Sequence, residues 1–146
     1  MSVSLQKGQK VSLSKESQGL TQVIAALGWD EAKRKGGLFS RIPQAIDCDA
    51  AAILLKNGEL CKKEDIVYYG NLQHNSNTVK HMGDNLTGAG EGDDEQIVLD
   101  LLHIPQEYNE IVIVVNVYKA VQRKQDFGMI KNAFVRIIDA RANRKL

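Results

Sequence analysis

The sequence predicts an all-β sandwich, on three observations. Apolar residues recur in short runs that alternate with polar ones, the period of a half-buried strand. Turn signals separate those runs, at Gly8 and at Asn57-Gly58. Helical periodicity is weak throughout, and only residues 126–131 read as a candidate turn of helix.

The 146 residues, 43% of them apolar and 25% charged, fit one domain with its own core. This balance excludes a disordered or low-complexity chain. No apolar run nears the roughly 20 residues that span a bilayer. The first residues, MSVSLQKGQK, lack the apolar stretch and small-residue cleavage site of a secretory signal. An intracellular, cytoplasmic protein with no direct membrane insertion is the expectation. Cys48 and Cys61 have the spacing of neither a disulfide framework nor a zinc site, so free thiols are expected.

Taken in order, Val3 and Leu5, then Val11 and Leu13, alternate around Lys7-Gly8-Gln9 and read as a hairpin. Val23–Trp29 is a second apolar stretch, with Trp29 assigned to the core. Residues 31–45 hold glycine, Pro43 and several bases, and read as a surface loop. Ile46–Leu55 reads as a strand closed by the turn Lys56-Asn57-Gly58-Glu59, and Ile66–Tyr69 as a short strand. Residues 70–95 hold few apolar side chains and read as one long loop, a length that argues for function. Strands resume at Ile97–Leu102, Glu110–Tyr118 and Asn132–Asp139.

Net charge is only +1, but its distribution is uneven. Asp84 to Asp100 carries six acids and no Lys or Arg, whereas Lys119 to Leu146 carries eight bases and two acids. The basic tail, residues 139–146, lacks the interleaved aromatics that nucleic-acid binding would want, so no nucleic-acid partner is expected. The stretch D-N-L-T-G-A-G-E-G-D-D-E, Asp84 to Glu95, places glycines at 88, 90 and 92 between acidic ends. A backbone this free can turn several carbonyls inward, and carboxylates close the ring. Calcium takes such a shell of six to eight oxygens. An EF-hand is excluded, because Leu86, Gly88 and Ala89 fall where Asp, Asn and Gly are needed. A phosphate loop is excluded by the surrounding acids and the missing lysine.

Asp47 and Asp49, two apart on a strand, share a face, and Cys48 points to the other. Two such carboxylates are tolerated in solvent or beside a cation, which makes them a candidate second half-site. His74, His81 and His103 lack zinc spacing and read as surface or hydrogen-bonded residues. No nucleophile–base set is legible, so no catalytic or organic-cofactor residues are assigned.

These residues resemble the TerD family of tellurite-resistance and general stress proteins. The matching segments are Ser4-Leu5-x-Lys7-Gly8 with Val11-x-Leu13; Leu27-Gly28-Trp29-Asp30; Asp47-x-Asp49-Ala50; Gly83-Asp84-Asn85-x-Thr87-Gly88-x-Gly90-x-Gly92-Asp93-Asp94-Glu95; and Phe127-Gly128 with Asn132-Ala133-Phe134-x-Arg136. They run in family order over nearly the whole chain, and Ile46–Asp49 behind its basic loop looks most like the TerZ-type members. The resemblance implies a β-sandwich whose acidic loops bind calcium, two ions, at one end. It implies a non-enzymatic role in bacterial tellurite resistance, as scaffold or sensor in a complex with other tellurite-resistance or stress proteins, peripheral at a membrane if associated with one. Carry-over places the metal ligands among Asp47, Asp49, Asp84, Asn85, Asp93, Asp94 and Glu95. The rival reading is thiol-based or enzymatic tellurite detoxification through Cys48 and Cys61. Two departures stand out. Ala45 occupies a position where the family usually has a further Asp, and Asn75-Ser76-Asn77 replaces the family's Asp-Gly step. The family also continues past residue 146 with more strands, so residues 1–146 are expected to form a single domain without them.

Overall fold

The computed structural model describes residues 2–5, 8–10, 19–31, 45–83 and 93–140. Eight strands form two antiparallel sheets, the predicted sandwich. They are β1 (Ser2–Leu5), β2 (Gln22–Glu31), β3 (Cys48–Leu55), β4 (Ile66–Val67), β5 (Val79–His81), β6 (Glu95–Asp100), β7 (Glu110–Val117) and β8 (Ile130–Asp139). One sheet runs β1-β8-β2-β6-β5 and the other β4-β3-β7.

Strand parity builds the core between them. Val23, Ala25, Leu27 and Trp29 of β2 alternate inward, as do Ile97 and Leu99 of β6. Cys48, Ala50, Ala52 and Leu54 of β3 meet them from the facing sheet. Trp29 is 3% exposed and donates its indole N–H to the Ile46 carbonyl at 3.2 Å, tying β2 to the start of β3.

The Asn57-Gly58 signal is realised. Both residues have positive φ, 52° and 81°, and Lys56 and Glu59 exchange backbone bonds of 3.0 Å across them. Gly8 has φ 78°, as a turn there needs, although the predicted return strand at Val11–Leu13 lies outside the described residues. The predicted surface loop at 31–45 is also outside them, apart from its ends.

Two expectations need correction. Residues 70–95 are not one loop: Val79–His81 forms β5, paired with Leu99–Ile97 of β6. Three residues give too short a period to read, and the strand exists because β6 offers it a partner. The turn of helix expected at 126–131 is a 3-10 turn at Phe127–Met129, and the α-helical turn, α1, lies earlier at Ala120–Arg123.

A buried polar cluster pins the connections at one side. Asp65 is 1% exposed, His74 4% and Tyr108 8%. The Tyr108 hydroxyl donates to Asp65 Oδ1 at 2.7 Å, and His74 Nε2 lies 3.2 Å from the same oxygen. His74 Nδ1 accepts from the Ser76 backbone N–H at 3.1 Å, which leaves Nε2 as the nitrogen that donates to Asp65. Burial alone would raise the Asp65 pKa, but the Tyr108 and His74 bonds outweigh it and hold the carboxyl below its ordinary value.

That balance has a testable pH dependence. A folded pKa below the unfolded one gives stability that is complete above about pH 4 and is lost as pH falls through the folded value. Tyr108→Phe should therefore cost about 1–3 kcal/mol at pH 7, from a buried carboxylate that loses a donor. The penalty should shrink near pH 3. Urea denaturation at both pH values measures this, and an equal penalty at each would refute the role given to Asp65.

Candidate metal centre

The seven sequence-predicted ligands fall into three groups. Asp84 and Asn85 lie outside the described residues. Asp47 and Asp49 at the start of β3 and Asp94 and Glu95 at the head of β6 are linked by the bond from the Ala50 N–H to Glu95. Asp93 is drawn to one side.

Cys48 sits between Asp47 and Asp49 at the start of β3. Its thiol, fully buried, is pushed up to about 12, first by burial and then by the charges of Asp47, Asp49, Glu95 and Asp94. Cys48 does point into the core, as parity predicted. Of the two settings left open for Asp47 and Asp49, open solvent does not hold, since each is only 4% exposed. Their cover comes from the β7–β8 connection, some 70 residues away in sequence. The Tyr118 N–H donates to the Asp47 carbonyl at 2.8 Å, and Gln125 donates to the Ala45 carbonyl at 3.3 Å. Arg123, at the end of α1, stacks on Tyr118 and lies 3.9 Å from Asp47 Oδ2. Asn116 of β7, register partner of Asp49, donates to it at 3.4 Å.

Asp94 and Glu95 sit where ladders end. Pairing of β2 with β6 stops at Leu27↔Glu95, and the β2–β8 register shifts between Gly28 and Asp30. The Trp29 N–H, past the last pair, is met by Asp94 Oδ2 at 2.9 Å. Glu95 is in phase with Ile97 and Leu99, so it points inward and is 2% exposed. Its Oε2 accepts from the Ala50 N–H of β3 in the opposite sheet at 2.7 Å. The two-residue strand β4 pairs only with Ala52 and Ile53, so it stops short of Ala50 and the carboxylate takes its place. His81 of β5 faces the same interior, with Nε2 3.5 Å from Glu95 Oε2 and Nδ1 accepting from the Gly83 N–H at 3.2 Å.

Asp93 has different partners. Arg136 Nη2 of β8 donates to its Oδ1 at 2.7 Å, and Gln96 Nε2 to its Oδ2 at 3.3 Å. An open cleft of about 250 Å³, lined by Met82, Gly83, Asp93, Asp94 and Gln96, lies where residues 84–92 leave β5 and return to β6.

Sequence reasoning missed Arg123, Asn116, His81 and the role of Arg136. His81 was legible from its i+2 spacing to Val79 had β5 been recognised. Arg136 was singled out in a motif without a role, and Arg123 and Asn116 carry no local signal. The donor set is all oxygen apart from His81, the chemistry of a hard cation rather than zinc. Among the described residues no group of three or more His, Cys, Asp or Glu side chains is arranged to hold a metal ion. A complete shell would therefore need residues 84–92.

The fold and the sequence both have known relatives. A family model described as the TerD domain matches residues 1–146. Stress response protein SCP2 of Bacillus subtilis is 48% identical over 143 residues, covering 95% of this chain and 72% of that protein. Tellurium resistance protein TerD of Serratia marcescens is 41% identical over 140 residues, covering 95% and 69%. The crystal structure of a telluride-resistance TerD homologue from Streptomyces coelicolor A3(2) superposes with a TM-score of 0.62 at 19% identity, covering 84% of this chain and 68% of that one. Match across the full length and identity above 40% to curated relatives agree: the chain belongs to the TerD family of tellurium-resistance and general stress proteins.

Proposed function

We propose that this protein is a non-enzymatic calcium-binding member of its family, acting in the cytoplasm as a scaffold or sensor alongside other tellurium-resistance or stress proteins. The observation that carries the reading is the bond from the Ala50 N–H to Glu95, which brings the Asp94-Glu95 pair against the Asp47-x-Asp49 start of β3. Backbone and amide donors orient Asp49, Asp94 and Glu95. Asp84, Asn85 and the carbonyls of the glycine-rich segment would complete the shell for two ions. Bound calcium would supply the positive charge that lets these like charges stay close. Among the described residues no helix is long and apolar enough to cross a membrane.

Family membership and the oxygen donor set favour this reading over thiol chemistry. The thiolate is the reactive form of cysteine, and a thiol pushed up to about 12 holds almost none of it at neutral pH.

Calcium should stabilise the fold. A ligand confined to the native state adds about 2.7 kcal/mol at a hundredfold excess over Kd, on the order of several degrees in melting temperature for a domain this size. The shift should fall near pH 4, because ligating carboxylates must be ionised. Magnesium should shift it less, since it demands a small rigid octahedron. Thermal melting of chelator-stripped protein with and without millimolar calcium tests this, and an unmoved midpoint at neutral pH would overturn the reading.

Alkylation tests the rival. Cys61 is exposed and Cys48 buried. Native protein at pH 7.5 should label at Cys61, with Cys48 at least about a hundredfold slower from its scarce thiolate alone. Mass spectrometry of the labelled peptides distinguishes them. Comparable rates would revive thiol chemistry.

A further inference from the structure

The segments on either side of β4 bring three polar side chains into one line. Asp65 and His74 are buried, and Ser76 is half-buried between the exposed Asn75 and Asn77. His74 Nε2 lies 3.2 Å from Asp65 Oδ1, and His74 Nδ1 lies 2.6 Å from the Ser76 hydroxyl. The Ser76 backbone N–H also donates to Nδ1, at 3.1 Å, so that nitrogen is the acceptor and carries no proton. The Ser76 hydroxyl therefore donates to the imidazole, and the imidazole donates to the carboxylate. Carboxylate, imidazole and hydroxyl stand in the order that makes a serine nucleophilic.

The ring is held for that role. Tyr108 meets it edge-on, with centroids 5.3 Å apart and planes at 90°, and donates to the same Asp65 oxygen at 2.7 Å. The turn that carries Ser76 is fixed as well. The Asn77 N–H donates to the His74 carbonyl at 2.9 Å, and Asn77 has φ 61°, in the left-handed region. The Thr78 hydroxyl, 2.6 Å from Ser76 Oγ, donates to it, since the Ser76 proton is committed to His74. A serine turn can close on its own backbone, and it needs neither a buried carboxylate behind the histidine nor a tyrosine to brace that carboxylate.

The same turn lacks the other half of a hydrolytic site. The N–H of Ser76 goes to His74 Nδ1, that of Asn77 to the His74 carbonyl, and that of Thr78 to Ser76 Oγ at 3.4 Å. None of the three is left to receive an oxyanion. A nucleophile whose turn offers a base but no oxyanion donors is equipped to accept a group, not to turn over a substrate.

We propose that Ser76 is a modification site, a hydroxyl activated by His74 that accepts a phosphoryl group from an activated phosphoryl donor. Ser76 Oγ forms the bond to phosphorus. The bond from phosphorus to the leaving oxygen breaks, and the leaving group departs with that electron pair. The Ser76 proton passes to His74 Nδ1. The product suits the charges in place: an imidazolium between the Asp65 carboxylate and a phosphate that carries about −1.5 to −2 at neutral pH. An acyl ester would give the imidazolium no second anion to face. The inference goes beyond the calcium reading and does not depend on it.

The test is labelling of the full chain at pH 7.5 with a fluorophosphonate, a phosphorus electrophile whose fluoride leaves on attack. Peptide mass spectrometry locates the labelled residues. Native protein should label at Ser76 at least about tenfold faster than protein unfolded in urea, where every serine is exposed and no base is positioned. His74→Asn keeps a polar acceptor near the Nδ1 position but not a base. It should melt cooperatively and label at least about a hundredfold more slowly. If His74→Asn does not fold, the comparison of native with unfolded chain decides alone. Labelling of Ser76 no faster in the native chain than in the unfolded one, or labelling confined to other residues, overturns the proposal. A folded His74→Asn that labels at the native rate overturns it as well, because the serine would then owe nothing to the imidazole.

Discussion

The end of the sandwich depends on one hydrogen bond, from the Ala50 N–H to the carboxylate of Glu95. It is the point at which a side chain of one sheet becomes part of the backbone ladder of the other. Strand β4 is too short to reach Ala50, so a donor on β3 would be buried without a partner. Glu95 supplies one, and in doing so brings a charge 2% exposed into the core. A buried carboxylate is costly unless hydrogen-bonded. The neighbouring side chains follow from that need: His81 approaches Glu95 from β5, and Cys48 beside it must stay a neutral thiol.

Much of this fold was legible in the sequence. The apolar runs gave the strands β2, β3, β6 and β8, parity in β3 turned Cys48 to the core, and Asn57-Gly58 gave a turn with the backbone it demands. What was not legible has a common physical cause, which is that it is made by contacts distant in sequence. β5 is three residues long and is a strand only because β6 is beside it. Whether Asp47 and Asp49 were solvated could not be read locally, because their cover, α1 and Tyr118, arrives from the far side of β7. The candidate site divides the same way. Parity in β6 already points Glu95 inward with Ile97 and Leu99, but nothing local says that Asp93 turns instead to β8.

That division sorts the acidic residues by role. Asp94 and Glu95 continue hydrogen-bond ladders that would otherwise stop short, and they are architectural before they are anything else. Removing either would disturb the sheets as well as any bound ion. Loss of calcium binding in such a variant would not by itself identify a ligand. Asp49 is a different case: its partner is a side-chain amide at 3.4 Å, a longer and more easily replaced contact. Asp84 and Asn85, in the glycine-rich segment, remain ligand candidates on their chemistry.

The electrostatic balance of this end follows from how the acids are held. Neutral N–H donors orient a carboxylate and favour its charge without cancelling it. Asp47 and Asp93 face the guanidinium groups of Arg123 and Arg136. Hydrogen bonding from the Trp29 and Ala50 N–H groups fixes the positions of Asp94 and Glu95. Fixed positions reduce the ordering that a bound ion must impose. Backbone N–H donors at Trp29 and Ala50 orient Asp94 and Glu95 without adding a positive charge of their own.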